Sequence, residues 1–351
     1  MKSDVFYMQE ALGQARKGHT SPNPRVGCVI VSKDRVIARG YHVKAGADHA
    51  EVMALKEAGI LATGATLYVN LEPCCHQGRT PPCTDAIIAA GISRVVSAVK
   101  DPNPRVDGKG FEILRRVGIT VDVGTLAIEA AALNESYMKH IVTGMPFVTA
   151  KAAVSLDGKI ASYTGDSKWI SSPESRKKVH RMRSESDAVL VGLNTVIKDN
   201  PRLTCRIRGG RDPLRVILDS RLSVPPDARV FDDDNVVVAC LEDAPRRDNL
   251  RVIRLKADAK GRPDLALLMK TLGGMQVCSV LIEGGSEVLG SAFDSGTVDR
   301  IVWFIAPIII GGRSAVTAVA GEGAASVSKA LKFRETRVGR CGPDIVVDGL
   351  I

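Results

Sequence analysis

His49-Ala50-Glu51, Pro73-Cys74 and Cys83 supply one imidazole, two thiols and one carboxylate. A structural zinc site takes four protein ligands, whereas a catalytic one takes three and leaves the fourth position to water. His49, Cys74 and Cys83 are the candidate ligands, and Glu51 is a carboxylate that need not touch the metal. Bound zinc lowers the pKa of its water to about 7. Glu51 would take the water proton and return it to a ring nitrogen and a departing amine. Ammonia then leaves an amidine-like carbon, and a carbonyl remains. Cys75 competes for the metal, but the proline directly before Cys74 favours Cys74.

The elements that must position these groups follow from periodicity. Residues two apart do not share a helix face. The first turn of a helix over 50–58, closed by Gly59, must therefore put His49 on the metal and Glu51 beside it. Leu67–Asn70 is a short strand entering the cysteine segment, and Cys83 can open a helix near Thr84–Ala90. There the positive end of the helix dipole favours a thiolate. Upstream, residues 4–17 read as an amphipathic helix capped by Ser3, and Val26–Val31 with Val36–Gly40 as a hairpin. Strand Arg94–Ala98, helix Phe111–Val117, strand Thr120–Val123 and helix Leu126–Ile141 complete the first part. This alternation predicts an α/β sandwich with a largely parallel sheet. Gly144-Met145-Pro146 punctuates its end, giving domains 1–144 and 145–351.

The second part is again α/β and shows no repeat of the first. Strands are expected at Phe147–Val154, Ala188–Val191, Leu214–Leu218, Val236–Ala239, Ser279–Ile282 and Arg300–Ala306. Helices fall near Pro173–Met182, Leu265–Leu272 and Ser286–Ser295. No Gly-x-Gly-x-x-Gly follows a strand, which argues against a standard Rossmann site. Instead, strand 279–282 runs into Glu283-Gly284-Gly285-Ser286 and a helix. Glycines at a strand end let a phosphate approach the backbone, and a helix N-terminus offers free N–H groups. A tight turn with no ligand is the plainer reading of a bare Gly-Gly.

At 351 residues the chain is long for one core and comfortable for two domains. Its net charge of +9 is spread, with 17 basic and 14 acidic residues up to Thr143 and 31 and 25 after it. A diffuse excess suits an anionic small molecule better than nucleic acid, which a concentrated stripe would serve. Of the eight cysteines three cluster and the rest scatter, so they form no disulfide framework. The first residues lack an apolar signal-peptide core, and the apolar run 301–310 is broken by Pro307. A reducing cytoplasm, with no membrane partner, is the expectation.

The order His-x-Glu…Pro-Cys…Cys is that of zinc deaminases of nucleobases, although eight residues separate Cys74 from Cys83 where that signature has two. HAEVMAL, LEPCCHQGRTPPC, DPNP and SPNPRVGCVIV closely resemble the deaminase half of the bifunctional riboflavin-biosynthesis deaminase–reductases. KAAVSLDGKIA, SKWIS, VGLNTVIKDNPRLTCR, LDSRL and LIEGGSEVLG resemble the reductase half. The resemblance implies a cytidine-deaminase-like α/β/α sandwich followed by a dihydrofolate-reductase-like α/β domain. It implies one Zn2+ per deaminase domain and NADPH as the second cofactor. The first substrate would be 2,5-diamino-6-(5-phosphoribosylamino)-4(3H)-pyrimidinone, deaminated at the 2-position. The second step would reduce the ribosyl chain of the product to ribityl. A homo-oligomer is also implied.

Residue by residue, the resemblance puts Asn23, His42, His76, Arg79 and Asn103 on the first substrate. Asn23, between two prolines, also reads as a turn residue, His42 as a core histidine and Arg79 as a solvated loop charge. In the second half it assigns Ser167, Arg183, Leu203, Arg206 and Glu283 to the sugar phosphate. Ala153, Trp169, Thr195, Asp199, Ser220 and the run Gly285, Ser286, Glu287, Val288, Leu289, Gly290 and Ser291 fall to NADPH. Arg221, beside Ser220, suits a 2′-phosphate or is a surface charge. Lys151 and Asp199 are the acid–base candidates, Lys151 to polarise or protonate the opened form and Asp199 or Glu283 to manage protons; Lys151 equally reads as an edge-strand charge and 199–201 as a turn. The rival reading keeps the zinc but takes a tRNA base as substrate, with the second domain gripping RNA. At 4% aromatic residues the chain has few platforms for stacking bases.

Overall fold

The structure, a computed structural model, describes residues 3–78 and 80–351. It divides into two compact units, Met1–Gly144 and Met145–Ile351. The division falls at the Gly-Met-Pro punctuation, where Gly144 takes φ 70 after the last helix of the first unit.

In the first unit, α1 (Asp4–Ala15) is capped by Ser3, whose side chain accepts from the Phe6 N–H. It turns Tyr7, Met8, Ala11, Leu12 and Ala15 inward. β1 (Gly27–Ser32) and β2 (Arg35–Tyr41) form the expected hairpin, and Lys33 and Asp34 both take positive φ in its turn. Then follow α2 (Ala50–Ala58), β3 (Thr66–Val69), α3 (Cys83–Ala89) and β4 (Arg94–Ser97). α4 (Lys109–Arg116) and β5 (Thr120–Val123) complete the sheet, whose order is β2-β1-β3-β4-β5. β1 runs antiparallel to both neighbours, while β3, β4 and β5 are parallel. The sheet is therefore mixed rather than largely parallel, because the opening hairpin fills one half of it. Side chains alternate across β1. Cys28 and Ile30 pack with Ala50 and Ala54 of α2, and Val29 and Val31 with Met8 and Leu12 of α1. Helices thus cover both faces.

The helix expected over 126–141 is two helices, α5 (Ala127–Leu133) and α6 (Glu135–Thr143). Asn134 breaks it. Its Oδ1 accepts the Arg25 N–H at 2.8 Å, and its Nδ2 donates to the Arg25 carbonyl at 3.0 Å. A buried amide that holds both backbone groups of another segment cannot also follow the helix line.

The second unit is built on a nine-stranded sheet. Its elements begin with β6 (Phe147–Ser155), β7 (Lys159–Ala161), α7 (Pro173–Glu185), β8 (Ala188–Gly192) and α8 (Leu193–Asp199). β9 (Leu214–Leu218), β10 (Val236–Leu241), β11 (Val252–Leu255), α9 (Leu265–Gly274) and β12 (Ser279–Gly284) follow. α10 (Ser286–Asp294), β13 (Arg300–Ala306), β14 (Val316–Thr317), β15 (Glu335–Cys341) and β16 (Asp344–Leu350) end it. The order is β11-β10-β9-β8-β12-β6-β13-β16-β15, parallel from β11 to β13 and antiparallel over the last two pairings. β6 lies between β12 and β13, so Lys151 sits on an interior strand and the edge-strand reading is wrong.

Leu268, Met269 and Leu272 of α9, with Leu289 and Ala292 of α10, share one core with Val148, Ala150 and Ala152 of β6. Each buried Val, Leu or Met side chain among them contributes roughly 1.5–3 kcal/mol by leaving water. α7 is fixed at its start by Asp344, whose Oδ2 accepts the Ser172 N–H at 2.8 Å and the Ser175 hydroxyl at 2.5 Å. Five strands (β7, β11, β14, β15, β16) and helix α8 were not expected from the sequence. Among the described residues no helix is long and apolar enough to cross a membrane.

Candidate active sites

His49 is the N-cap of α2, and Cys83 is the first residue of α3. β3 leads into the loop carrying Cys74, so three elements converge. His49 Nδ1 lies 3.2 Å from Cys83 Sγ and 3.4 Å from Cys74 Sγ, and the three ligand atoms all lie within 4.8 Å of one another. Zn–S and Zn–N bonds of 2.3 and 2.0–2.1 Å set tetrahedral ligand atoms about 3.6 Å apart, so this donor set fits zinc. The Cys83 N–H donates to Cys74 Sγ at 3.4 Å. The Cys74 thiol is held well down, to about 4, first by its hydrogen bond with Cys83 and then by His49, against burial. Cys75 lies 3.7 Å from the Arg105 carbonyl and outside the triangle.

Glu51, in the first turn of α2, is 3% exposed. Burial pushes its carboxyl up to about 7, against the pull of His49. Its Oε2 is buried without a hydrogen-bond partner. An orphaned carboxylate oxygen beside the ligand triangle is costly and is suited to proton transfer.

The neighbours divide. Asn23 Nδ2 lies 3.0 Å from His42 Nε2, and His42 Nδ1 lies 3.0 Å from the Asp48 carbonyl. This pairing makes Nδ1 the protonated nitrogen of a neutral ring, consistent with burial lowering its pKa. The His42 and His49 rings are 5.2 Å apart. His42 is therefore both a satisfied buried histidine and a neighbour of the metal triangle. His76 keeps a buried Nδ1 without a partner. Asn103 Oδ1 accepts the Arg105 N–H at 3.0 Å. Arg79 lies outside the described residues.

Sequence reading missed Glu72. Its buried carboxylate accepts the N–H groups of Asp101, Gly108 and Gly110 at 3.2, 2.9 and 2.9 Å. It thereby ties the loop beginning Pro73-Cys74 to the segment carrying Asn103. A charged residue at the end of the apolar run 67–71 was the available signal.

In the second unit a cavity of about 930 Å³ opens at the carboxyl ends of the parallel strands. Lys151, Ala153, Ser167, Trp169, Arg183, Thr195, Asp199, Leu203, Arg206, Ser220 and Glu283 line it, as do Gly285–Leu289 and Ser291. Gly290 is turned away, against the Ala320 carbonyl. Arg221 also lines the cavity but pairs with Asp243 at 2.7 Å. Asn200 ends α8 in the left-handed conformation at φ 41, so the turn at 199–201 and a cavity-facing Asp199 coexist.

Arg183 and Glu283 form a buried bidentate pair. Burial pushes the Glu283 carboxyl up, but Arg183 and Lys151 together hold it below its ordinary value. Burial lowers the Lys151 pKa, with Glu283 opposing and Arg183 adding. A carbon at Gly285 would meet Thr195 Oγ1 at 3.5 Å, and no side chain caps the first turn of α10. A cationic cavity with an uncapped helix start fits a phosphorylated dinucleotide. Arg176 and His180, on α7, line the same wall and were not singled out in the sequence.

Comparison with known proteins agrees with this geometry. Residues 146–347 match the RibD C-terminal domain, and residues 1–99 match the cytidine and deoxycytidylate deaminase zinc-binding region. The riboflavin biosynthesis protein RibD of Aquifex aeolicus is 47% identical, covering 98% of this chain and 97% of that one. RibD of Escherichia coli is 40% identical, covering 97% and 98%. Acinetobacter baumannii RibD superposes with a TM-score of 0.89 at 38% identity, over 99% and 98% of the two chains. The diaminohydroxyphosphoribosylaminopyrimidine deaminase/5-amino-6-(5-phosphoribosylamino)uracil reductase of Thermotoga maritima does so at 0.89 and 39%, over the same shares. With both halves matched in order and nearly the whole length covered, this chain belongs to the RibD family of riboflavin biosynthesis proteins.

Proposed function

We propose that residues 1–144 deaminate 2,5-diamino-6-(5-phosphoribosylamino)-4(3H)-pyrimidinone and that residues 145–351 then reduce the ribosyl chain of 5-amino-6-(5-phosphoribosylamino)uracil. The observation that carries this is the His49–Cys74–Cys83 triangle beside the orphaned Glu51 oxygen. The tRNA-base alternative is not favoured, because the second unit matches a reductase family rather than an RNA-binding one.

His49, Cys74 and Cys83 would hold zinc, which supplies a water ionised near neutral pH. Glu51 takes one proton of that water at Oε2 and passes it to the ring nitrogen, then carries the remaining hydroxyl proton to the leaving amine, which departs as ammonia. Asn23 and His42, close to His49, would orient the pyrimidine, and His76 and Asn103, with Arg79 by family position, would take the phosphoribosyl end. In the second unit NADPH, when bound, would supply the hydride that reduces C1′ of the opened sugar. Ala153, Trp169, Thr195, Ser220 and the α10 start would hold the dinucleotide, while Ser167, Leu203 and Arg206 would hold the sugar phosphate. Lys151 donates a proton to the opened form. Glu283, kept ionised by Arg183, is a poor proton carrier, so that duty falls to Asp199, which the Ser167 hydroxyl reaches at 3.5 Å.

We assign the enzyme to the cytoplasm, since its zinc thiolates suit a reducing compartment, and to a homo-oligomer without nucleic-acid or membrane partners. Exposed Val327, Leu331, Phe333 and Val338 support self-association. The test is metal analysis coupled to an assay begun from the diamino substrate. One zinc per chain, one ammonia released and one NADPH oxidised per substrate are expected. Ammonia release without zinc, or no oxidation of NADPH or NADH, would refute the corresponding half.

A further inference from the structure

Trp169 is 71% exposed at the cavity wall, on the segment between β7 and α7. The segment is tied at both ends. Ser162 N–H donates to the Asp166 carbonyl at 2.9 Å, and Lys168 N–H donates to Asp166 Oδ1 at 3.2 Å. At the far end Ser172 N–H is held by Asp344. Across the span between, Arg176 makes two contacts from α7. Its guanidinium stacks 4.4 Å from the Trp169 ring centroid, and its Nη1 donates to the Ser171 carbonyl at 2.6 Å.

A guanidinium over an indole face is attracted by the ring quadrupole. The backbone hydrogen bond fixes where the guanidinium plane lies. Together they hold the indole by one face while Trp169 stays largely exposed in the lining of the cavity. An exposed aromatic costs less ordering on binding when it is already held in place.

We propose that Arg176 is a positioning residue for cofactor binding: it stacks on one face of Trp169 in the cavity wall and holds the indole where its exposed part receives a planar ring of the dinucleotide. This rests on the NADPH reading of the cavity. Arg176 acts through Trp169 and sets cofactor affinity, not the chemical step.

The test uses the full-length protein. The chain holds two tryptophans, Trp169 and Trp303, so Trp303→Phe isolates the Trp169 emission. On that background, Arg176→Ala is expected to lower the Trp169 fluorescence anisotropy and increase quenching by acrylamide. The Kd for NADPH, from quenching of the same emission, should rise about threefold to thirtyfold. In the otherwise native chain, where no tryptophan signal is needed, Arg176→Ala should raise the KM for NADPH by a similar factor with kcat within about twofold. Arg176→Lys should recover part of both effects. An unchanged anisotropy and an unchanged KM in a folded Arg176→Ala protein would overturn the proposal alone. Failure of the wild-type chain to bind NADPH would overturn the reductase reading and this proposal with it.

Discussion

Arg183 Nε meets Glu283 Oε1 at 2.5 Å while Arg183 Nη2 meets Oε2 at 2.9 Å, and the two side chains are only 12% and 7% exposed. The pair lies in the cavity wall, so each group assigned to substrate is already the other's partner. A third contact, Arg183 Nη1 to the Thr204 carbonyl at 3.1 Å, ties the pair to the segment carrying Leu203 and Arg206. All three guanidinium nitrogens are thus engaged within the protein, so a substrate anion placed here would meet a guanidinium whose direction is fixed beforehand.

Breaking this pair from one side should be costly. Glu283→Gln leaves Arg183 charged and buried, a change that typically costs about 3–5 kcal/mol. Arg183→Met with Glu283→Gln should recover part of that stability in a double-mutant cycle read by urea unfolding. Strictly additive losses would mean that the two groups do not interact.

The same pair sets an acid limit. Glu283 has its folded pKa below the ordinary 4.5, so its stabilisation is full above pH 4.5 and is lost as pH falls through the folded value. Melting of the second unit should therefore steepen its fall with pH below 4.5, and Glu283→Gln should flatten that limb. A profile indifferent to the substitution would contradict the assignment.

Lys151 works in the opposite sense. Its folded pKa is depressed from 10.5, so protonating the folded form carries a penalty that grows as pH falls below 10.5. Lys151→Met should raise the melting temperature at neutral pH by a few degrees while abolishing NADPH oxidation. A destabilised variant would show that Lys151 is charged and well paired instead.

Glu51→Gln should cut ammonia release by about 10²- to 10⁴-fold and leave zinc content unchanged. Reduction of separately supplied deaminated substrate should continue. An unaltered deamination rate would remove Glu51 from the proton path.

Stripping the metal with a chelator should stop ammonia release and spare NADPH oxidation on the deaminated substrate. Simultaneous loss of both activities would argue that the two reactions are not divided between the units as proposed.

Legibility differed by element for physical reasons. Leu214–Leu218 and Arg300–Ala306 are bounded correctly because apolar runs between turn residues identify buried strands locally, and the mostly exposed Thr120–Val123 because β-branched residues stand between Gly118 and Gly124. The break at Asn134 was invisible, since its cause is a hydrogen bond to Arg25, 109 positions away. β15 was missed because nearly all its side chains are exposed, so Glu-Thr-Arg-Val-Gly-Arg-Cys carries no alternation. The zinc triangle was legible because histidine and cysteine types with fixed spacing have few other uses. Arg176 and His180 were not, because in the run 175–184 they look like the solvated face of any basic helix.

The hold of Asp344 on Ser172 and Ser175 has a consequence for synthesis. The two ends of that contact are 172 residues apart. At 5–20 residues per second the ribosome needs roughly 10–30 s to deliver the aspartate after the serines emerge. Throughout that interval the helix at Pro173 has its own Ser172 cap but not the tie to Asp344. A truncated or stalled product would expose an unlatched flank to proteases, even with every residue of the lysine strand already made.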